Sequence, residues 1–378
     1  MTNPIVFKGS AVFDGETLHK DAALRFGADG LEAIGSVGQI SGDAEVIDLG
    51  DDLVSTGYVD LQVNGGGGVM LNAAPNVDTV RTIAAAHWSL GTRMLLPTLI
   101  TDTREKTQAA ITAVTDAIAA KIPGVIGLHL EGPHLSVARK GAHDAAHIRQ
   151  LEQADLDMLL QAAGTLPALM ITIAPENVSL DQVRALSNAG AVVSLGHTDA
   201  DFATCMAYVD AGARCATHLF NAMSQLGNRE PGLVGAALSS GKLSAGLIAD
   251  GIHVHTDTIK IAWSAKRGPG QIFLVSDAMA VAGSPMTTFE LDGRRILRAD
   301  GKLTLENGTL AGADLDLTTA LRVLVAEVGI PLEQALKAAT KTPHDMMSSK
   351  PFEVIGKSMT DFIRIHPDLS GVAPLVAA

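Results

Sequence analysis

The chain has 378 residues, 47% of them hydrophobic and 18% charged, enough apolar side chain for one large core or two unequal ones, which excludes global disorder. Lys and Arg number 28 against 41 Asp and Glu, a net charge of -13, and only 3% of residues are aromatic, so neither a nucleic acid nor an anionic membrane is an expected partner. Cys205 and Cys215 cannot make a disulfide framework, the N-terminus lacks a signal-peptide pattern, and no apolar run nears the roughly 18 residues of a membrane span, so a cytoplasmic protein is expected.

Residues 1–54 read as a small β unit, with strands expected at Pro4–Phe7, Ser10–Phe13, Ala22–Phe26, Leu31–Ile34 and Glu45–Leu49 between Gly and Asp turns. From Tyr58 the texture changes to short apolar runs alternating with Ala-rich helical stretches. Eight strands are predicted: Tyr58–Val63, Thr92–Pro97, Val125–Leu130, Ala168–Ile173, Val192–Leu195, Cys215–His218, Leu243–Ile248 and Ile272–Val275. Helices are predicted at Val77–Leu90, Arg104–Lys121, Leu180–Ala189, Phe202–Ala211 and Asp257–Lys266, while the stretch from His218 to Leu243 is less clearly periodic. The strand count favours a (β/α)8 barrel of the α/β class over an open doubly wound sheet. Beyond the eighth strand, Thr287–Leu310 reads as an inserted hairpin, Leu315–Val328 and Leu332–Ala339 as helices, and Phe352–Ile365 as an extended tail able to return to the N-terminal β unit. The expected division is 1–54 and 346–378 as two parts of a β-sandwich flanking a barrel over 55–345.

In a barrel the strand ends share one mouth, where chemistry gathers. Here the first strand ends in Gln62 and Asn64, the third in Glu131, the fifth in His197, the sixth in His218, the seventh in Asp250 with His253 close behind, and the eighth in Asp277. Two imidazoles and a carboxylate, from His197, His218 and Glu131, suit Zn²⁺ or a similar divalent ion with one position open for water. Such an ion lowers the pKa of water toward about 7 and polarises a carbonyl, and Asp277 is the expected general base and acid. His129 shares the face of Glu131 and is either a partner of that residue or a satisfied core histidine. His134 and His255 are expected at the surface. The run Gly65–Gly68 lacks a nucleotide-binding pattern and reads as a tight turn.

Several runs carry a specific resemblance: Gly57-Tyr58-Val59-Asp60-Leu61-Gln62-Val63-Asn64-Gly65, His129-Leu130-Glu131-Gly132-Pro133 with Lys140-Gly141-Ala142-His143, Leu195-Gly196-His197-Thr198, Thr217-His218-Leu219-Phe220-Asn221-Ala222-Met223, Arg229-Glu230-Pro231-Gly232, Ala249-Asp250-Gly251-Ile252-His253, Ser276-Asp277-Ala278 and Leu310-Ala311-Gly312. In this order they resemble the N-acetylglucosamine-6-phosphate deacetylases of the amidohydrolase superfamily, over nearly the whole chain. The resemblance implies a (β/α)8 barrel beside a β-sandwich built from both chain ends. It implies hydrolysis of the acetamide of N-acetyl-D-glucosamine 6-phosphate to D-glucosamine 6-phosphate and acetate, in amino-sugar catabolism and cell-wall recycling. It also implies metal ligation by Glu131, His197 and His218, proton transfer by Asp277 and polarisation of the acetamide carbonyl by His143. Substrate contacts are implied for Ala142, His143, Asn221, Ala222, Arg229, Asp250, Gly251, Ile252, His253, Leu310, Ala311 and Gly312, in a homodimer with Arg229 and His253 near or across the interface. Where many amidohydrolases carry His-x-His and two metals, this chain has Gln62-x-Asn64, so the resemblance is to single-metal members, with Zn²⁺ first among Zn²⁺, Fe²⁺, Co²⁺ and Mn²⁺. The competing reading is another metal-dependent amidohydrolase acting on a different N-acyl or cyclic amide.

Overall fold

The computed structural model describes residues 4–291 and 293–376. Eight parallel strands, Tyr58–Val63, Thr92–Ile100, Leu128–Glu131, Leu169–Ile173, Val192–Leu195, Cys215–Ala216, Ser244–Leu247 and Ile272–Leu274, pair in chain order. They are short and buried on both faces, as all six residues of Tyr58–Val63 are, which is the pattern of a parallel sheet covered by helices. Beyond the eighth strand the chain reaches back to the first: the Asp277 N–H donates to the Gln62 carbonyl at 3.0 Å, the Asn64 N–H donates to the Ala278 carbonyl at 2.9 Å, and Val63 bridges Ala278 in parallel. The sheet is therefore a nearly closed barrel, and the open alternative is excluded. The second strand runs three residues past its predicted end at Pro97, to Ile100.

Helix starts follow their capping side chains. Asn76, Thr103 and Asp201 accept from backbone N–H groups three residues on, and Ser179 forms a capping box with Gln182. Among the described residues four α-helices lie outside the predicted set: the single turn Val37–Ile40, and Gln153–Thr165, Gly232–Ser239 and Lys341–Met347. In Gly232–Ser239 seven of the eight residues are buried, so no polar face marks a helical period.

The N-terminal strands form two sheets. Phe362–Ile365 pairs antiparallel with Leu53–Thr56, so the tail does return to the N-terminal unit, and Val372–Pro374 adds an edge. Phe7, Val12, Leu24, Phe26, Val54 and Phe362 fill the space between, with the Phe26 ring edge-on to Phe7 and Phe362 at 5.9 and 5.4 Å. We propose the division at residues 54 and 346 as the domain limits; the strand Leu53–Thr56 carries the chain from one unit to the other.

The stretch Thr287–Leu310 is more than the predicted hairpin. Thr288–Leu291, Arg294–Ala299, Lys302–Leu305 and Leu310–Ala313 make a four-stranded antiparallel sheet. Gly293, Gly301 and Gly308, all at positive φ, supply three reversals where one was expected. Its apolar face, including Phe289, Leu291, Ile296 and Leu303, packs on Met70, Ile100 and Met279 at the barrel mouth.

Candidate active site

His197, His218 and Asp277 follow their strands in left-handed backbone, at φ of 47°, 30° and 50°. This conformation costs a non-glycine residue about 1–3 kcal/mol and persists only where surrounding structure enforces it. The three side chains meet Glu131, the last residue of the third strand, at the mouth. Glu131 Oε1 lies 3.2 Å from His197 Nε2 and 3.0 Å from His218 Nε2, and the two Nε2 atoms are 3.0 Å apart. Two ligand atoms at about 2.0–2.2 Å from one cation are separated by about 2.9–3.6 Å, so the spacing is that of a shared ion. His197 Nδ1 donates to the Arg139 carbonyl at 2.8 Å, which leaves Nε2 of the neutral ring with a lone pair aimed at the centre. Burial opposes a charge on Glu131, but the facing His197 and His218 imidazoles outweigh it and hold the carboxyl well below its ordinary pKa.

Asp277 Oδ1 accepts from Asn64 Nδ2 at 2.7 Å and from Gln62 Nε2 at 3.1 Å, and the same Gln62 nitrogen lies 3.1 Å from Glu131 Oε1. Burial, and then the negative charge of Glu131, push Asp277 up to about 7, while His218 and the Asn64 hydrogen bond pull the other way. A carboxyl so placed is tuned for proton transfer near neutrality. His143 is buried, with Nδ1 2.8 Å from Thr101 Oγ1 and 3.3 Å from the Thr101 backbone nitrogen, and Nε2 3.9 Å from Glu131 Oε2. Glu131, His143 and His197 also present ligand atoms within 4.8 Å of one another, but His218 lies closer to Glu131 than His143 does.

These groups line a cleft of about 170 Å³ at the barrel mouth. Asn64, Ala142, Asn221, Ala222, His253, Leu310 and Gly312 line it too. Gln62 lies beneath the floor, 2% exposed, and Ala311 is fully buried. Asp250 shapes the next turn: its Oδ1 accepts from the Ile252 and His253 backbone at 2.8 Å and its Oδ2 lies 2.6 Å from His253 Nδ1, with Gly251 between. Arg229 is exposed on a loop and is not among the cleft residues of this single chain.

His129 is a satisfied core residue: Nδ1 donates to the Leu61 carbonyl at 3.0 Å, Nε2 accepts from Thr172 Oγ1 at 2.8 Å, and burial pushes its pKa down to about 4. His134 was expected at the surface and is instead 2% exposed, its Nδ1 donating to the Arg149 carbonyl at 3.0 Å, because the segment after the third strand folds inward over Asp155. His255 is exposed, as expected. A Cβ on Gly65 would meet the Val69 carbonyl oxygen at 2.5 Å and the Ala280 nitrogen at 2.8 Å, which fits the close-turn reading of that run. Ile100, Thr101, Met279 and Leu291 at or behind the cleft wall escaped the sequence reading. The signal for the first two was the apolar run Leu95–Ile100 continuing past Pro97.

Residues 53–350 match the Amidohydrolase family. The chain belongs to that family. Among curated relatives, an N-acetylgalactosamine-6-phosphate deacetylase of Shewanella sp. is 44% identical over 291 residues, 77% of this chain and 73% of the relative. An N-acetylglucosamine-6-phosphate deacetylase of Haemophilus influenzae is 32% identical over 327 residues, 86% of this chain and 84% of the relative. Among solved structures, the N-acetylglucosamine-6-phosphate deacetylase of Pasteurella multocida superposes with a TM-score of 0.91 at 30% identity, covering 98% of both chains. Membership of the amidohydrolase family implies a divalent metal, and the converging Glu131, His197 and His218 donors fit one. Among the described residues no helix is long and apolar enough to cross a membrane.

Proposed function

We propose that this amidohydrolase deacetylates N-acetylhexosamine 6-phosphates, converting N-acetyl-D-glucosamine 6-phosphate to D-glucosamine 6-phosphate and acetate. The observation that carries this reading is a single carboxylate, Asp277, anchored by Asn64 and Gln62 beside a three-donor metal group in the cleft at the barrel mouth. Glu131, His197 and His218 would hold a divalent ion, with Zn²⁺ first on ligand chemistry, which would acidify water and polarise the acyl oxygen. Asp277 takes the proton from water as the new C–O bond forms. It then delivers that proton to nitrogen as the C–N bond breaks, so acetate and a free amine leave. His143 Nε2 faces the site from the third-strand loop and donates to the acyl oxygen as negative charge develops there.

The sugar phosphate extends toward Asn221, Ala222 and His253, with Arg229 closing on the phosphate from the paired subunit of a homodimer. The enzyme works in the cytoplasm, in amino-sugar catabolism and cell-wall recycling. The 44% relative favours a second substrate, the galactosamine epimer. Acetate release from N-acetylglucosamine 6-phosphate, N-acetylgalactosamine 6-phosphate and unphosphorylated N-acetylglucosamine decides among these. The proposal expects turnover of one or both phosphorylated sugars and at least a hundredfold lower kcat/KM without the phosphate. No acetate from either phosphorylated sugar, or equal turnover of the unphosphorylated one, refutes it.

A further inference from the structure

The amide carbon has to sit between Asp277 and the Glu131, His197 and His218 group, so its two substituents leave that point in different directions. One is the sugar, directed toward Asn221, Ala222 and His253 beyond the sixth and seventh strands. The second strand lies four places from the sixth in the eight-strand order, on the facing wall of the barrel. There the lining turns apolar, with Ile100, Met279 and Leu291. Ile100 is the register partner of Glu131, and partners in adjacent parallel strands point to the same face, so its side chain enters the site beside that carboxylate. Met279 lies two residues past Asp277 and packs beneath Gly312, where an added Cβ would fall 2.4 Å from Met279 Cγ. Leu291 descends from the four-stranded sheet. All three belong to one packed apolar cluster and are only 5%, 3% and 2% exposed, so the wall has little freedom to retreat.

We propose that Ile100, Met279 and Leu291 form the pocket for the N-acyl substituent and set the upper limit on its length, so the site takes a two-carbon acyl group and rejects longer ones. This rests on the deacetylase reading and deepens it. A methyl group fits against such a wall, whereas each further methylene must displace packed side chains, and one methylene in an apolar pocket is worth about 10–200-fold in kcat/KM.

The test is a series of N-acetyl, N-propionyl and N-butyryl hexosamine 6-phosphates on the same sugar, with metal-loaded wild type, Leu291→Ala, Ile100→Val and Met279→Ala, and Ile248→Val as a control on the seventh-strand side. Wild type is expected to lose at least tenfold in kcat/KM per added carbon. Leu291→Ala or Met279→Ala should raise the propionyl-to-acetyl ratio about tenfold, and the milder Ile100→Val several-fold, with inhibition by the amine product unchanged. Ile248→Val should leave the ratio alone. If wild type releases acetate but no folded variant moves the ratio, or only Ile248→Val does, the acyl pocket is refuted and the deacetylase reading stands. If wild type releases no acetate, both fall.

Discussion

The backbone N–H of Thr101 points at Nδ1 of His143 across 3.3 Å, and since a backbone N–H can only donate, that ring nitrogen holds a lone pair. Burial, and then the neighbouring His197 imidazole, push the His143 pKa down to about 3, so the ring is neutral at physiological pH and its one proton is on Nε2, facing Glu131 and the cleft. The second strand, by running on to Ile100, delivers the Thr101 N–H that sets this tautomer.

In the proposed mechanism His143 therefore donates to the acyl oxygen and stays outside the metal's ligand set. His143→Phe is expected to lower kcat by about 100–1,000-fold, with metal content unchanged. Elemental analysis beside steady-state kinetics checks this, and loss of the metal in that variant would make His143 a ligand instead.

The hydrogen bond from Asn64 stabilises the ionised form of Asp277, so removing it raises the carboxyl pKa. Asp277 must be ionised to take a proton, and activity is therefore lost as pH falls through its pKa. A bound cation pulls that pKa below the value of about 7 that burial and Glu131 produce. In Asn64→Leu the acid limb of the kcat/KM profile is expected to move upward by up to about one pH unit at unchanged metal content. An unmoved or downward-shifted limb would contradict the role of Asn64.

Metal content is a separate expectation. Gln62 and Asn64 offer amide N–H groups to carboxylates, and neutral amides are poor ligands for zinc. Fully active protein is expected to hold about one divalent ion per chain, and Glu131→Gln to lose most of it. Chelation should abolish turnover and lower the thermal transition, both restored by adding the ion back.

Away from the site, Asp155 is fully buried and meets Arg104 through Nε and Nη2 at 2.8 and 3.0 Å, with Arg149 Nη2 at 3.3 Å. Burial works against its charge, but the two guanidinium groups outweigh it and hold the carboxyl at about 2. Because the folded pKa is depressed, the stabilisation is complete above about pH 4 and is lost as pH falls from there through about 2. Asp155→Asn is expected to cost about 2 kcal/mol at pH 7 by urea unfolding, with the gap to wild type narrowing toward pH 3.

Much of this architecture was legible in the sequence for definite physical reasons. Barrel strands bounded by polar strand-end residues announce themselves, and helices such as Phe202–Ala211 begin at a visible Asp cap. The residues that converge, Glu131, His197, His218 and Asp277, each follow an apolar run. Helix Gly232–Ser239 was hidden because it is apolar all round, and the four-stranded sheet because its pairing depends on which of three glycine turns close. Buried His134 had no periodic signal, since its burial comes from a long-range fold-back toward Arg149. The apolar wall of Ile100, Met279 and Leu291 is assembled from three separate segments, and no local pattern reveals such a surface.

The central claim is that Asp277 moves the proton of the hydrolytic step while the Glu131, His197 and His218 group holds the ion. Acetate release by metal-loaded Asp277→Asn on phosphorylated N-acetylhexosamines tests it most directly, with metal content and substrate binding measured on the same sample. The account predicts wild-type metal content, retained substrate binding and a loss of turnover of at least about a thousandfold. Turnover close to wild type in that variant would contradict it.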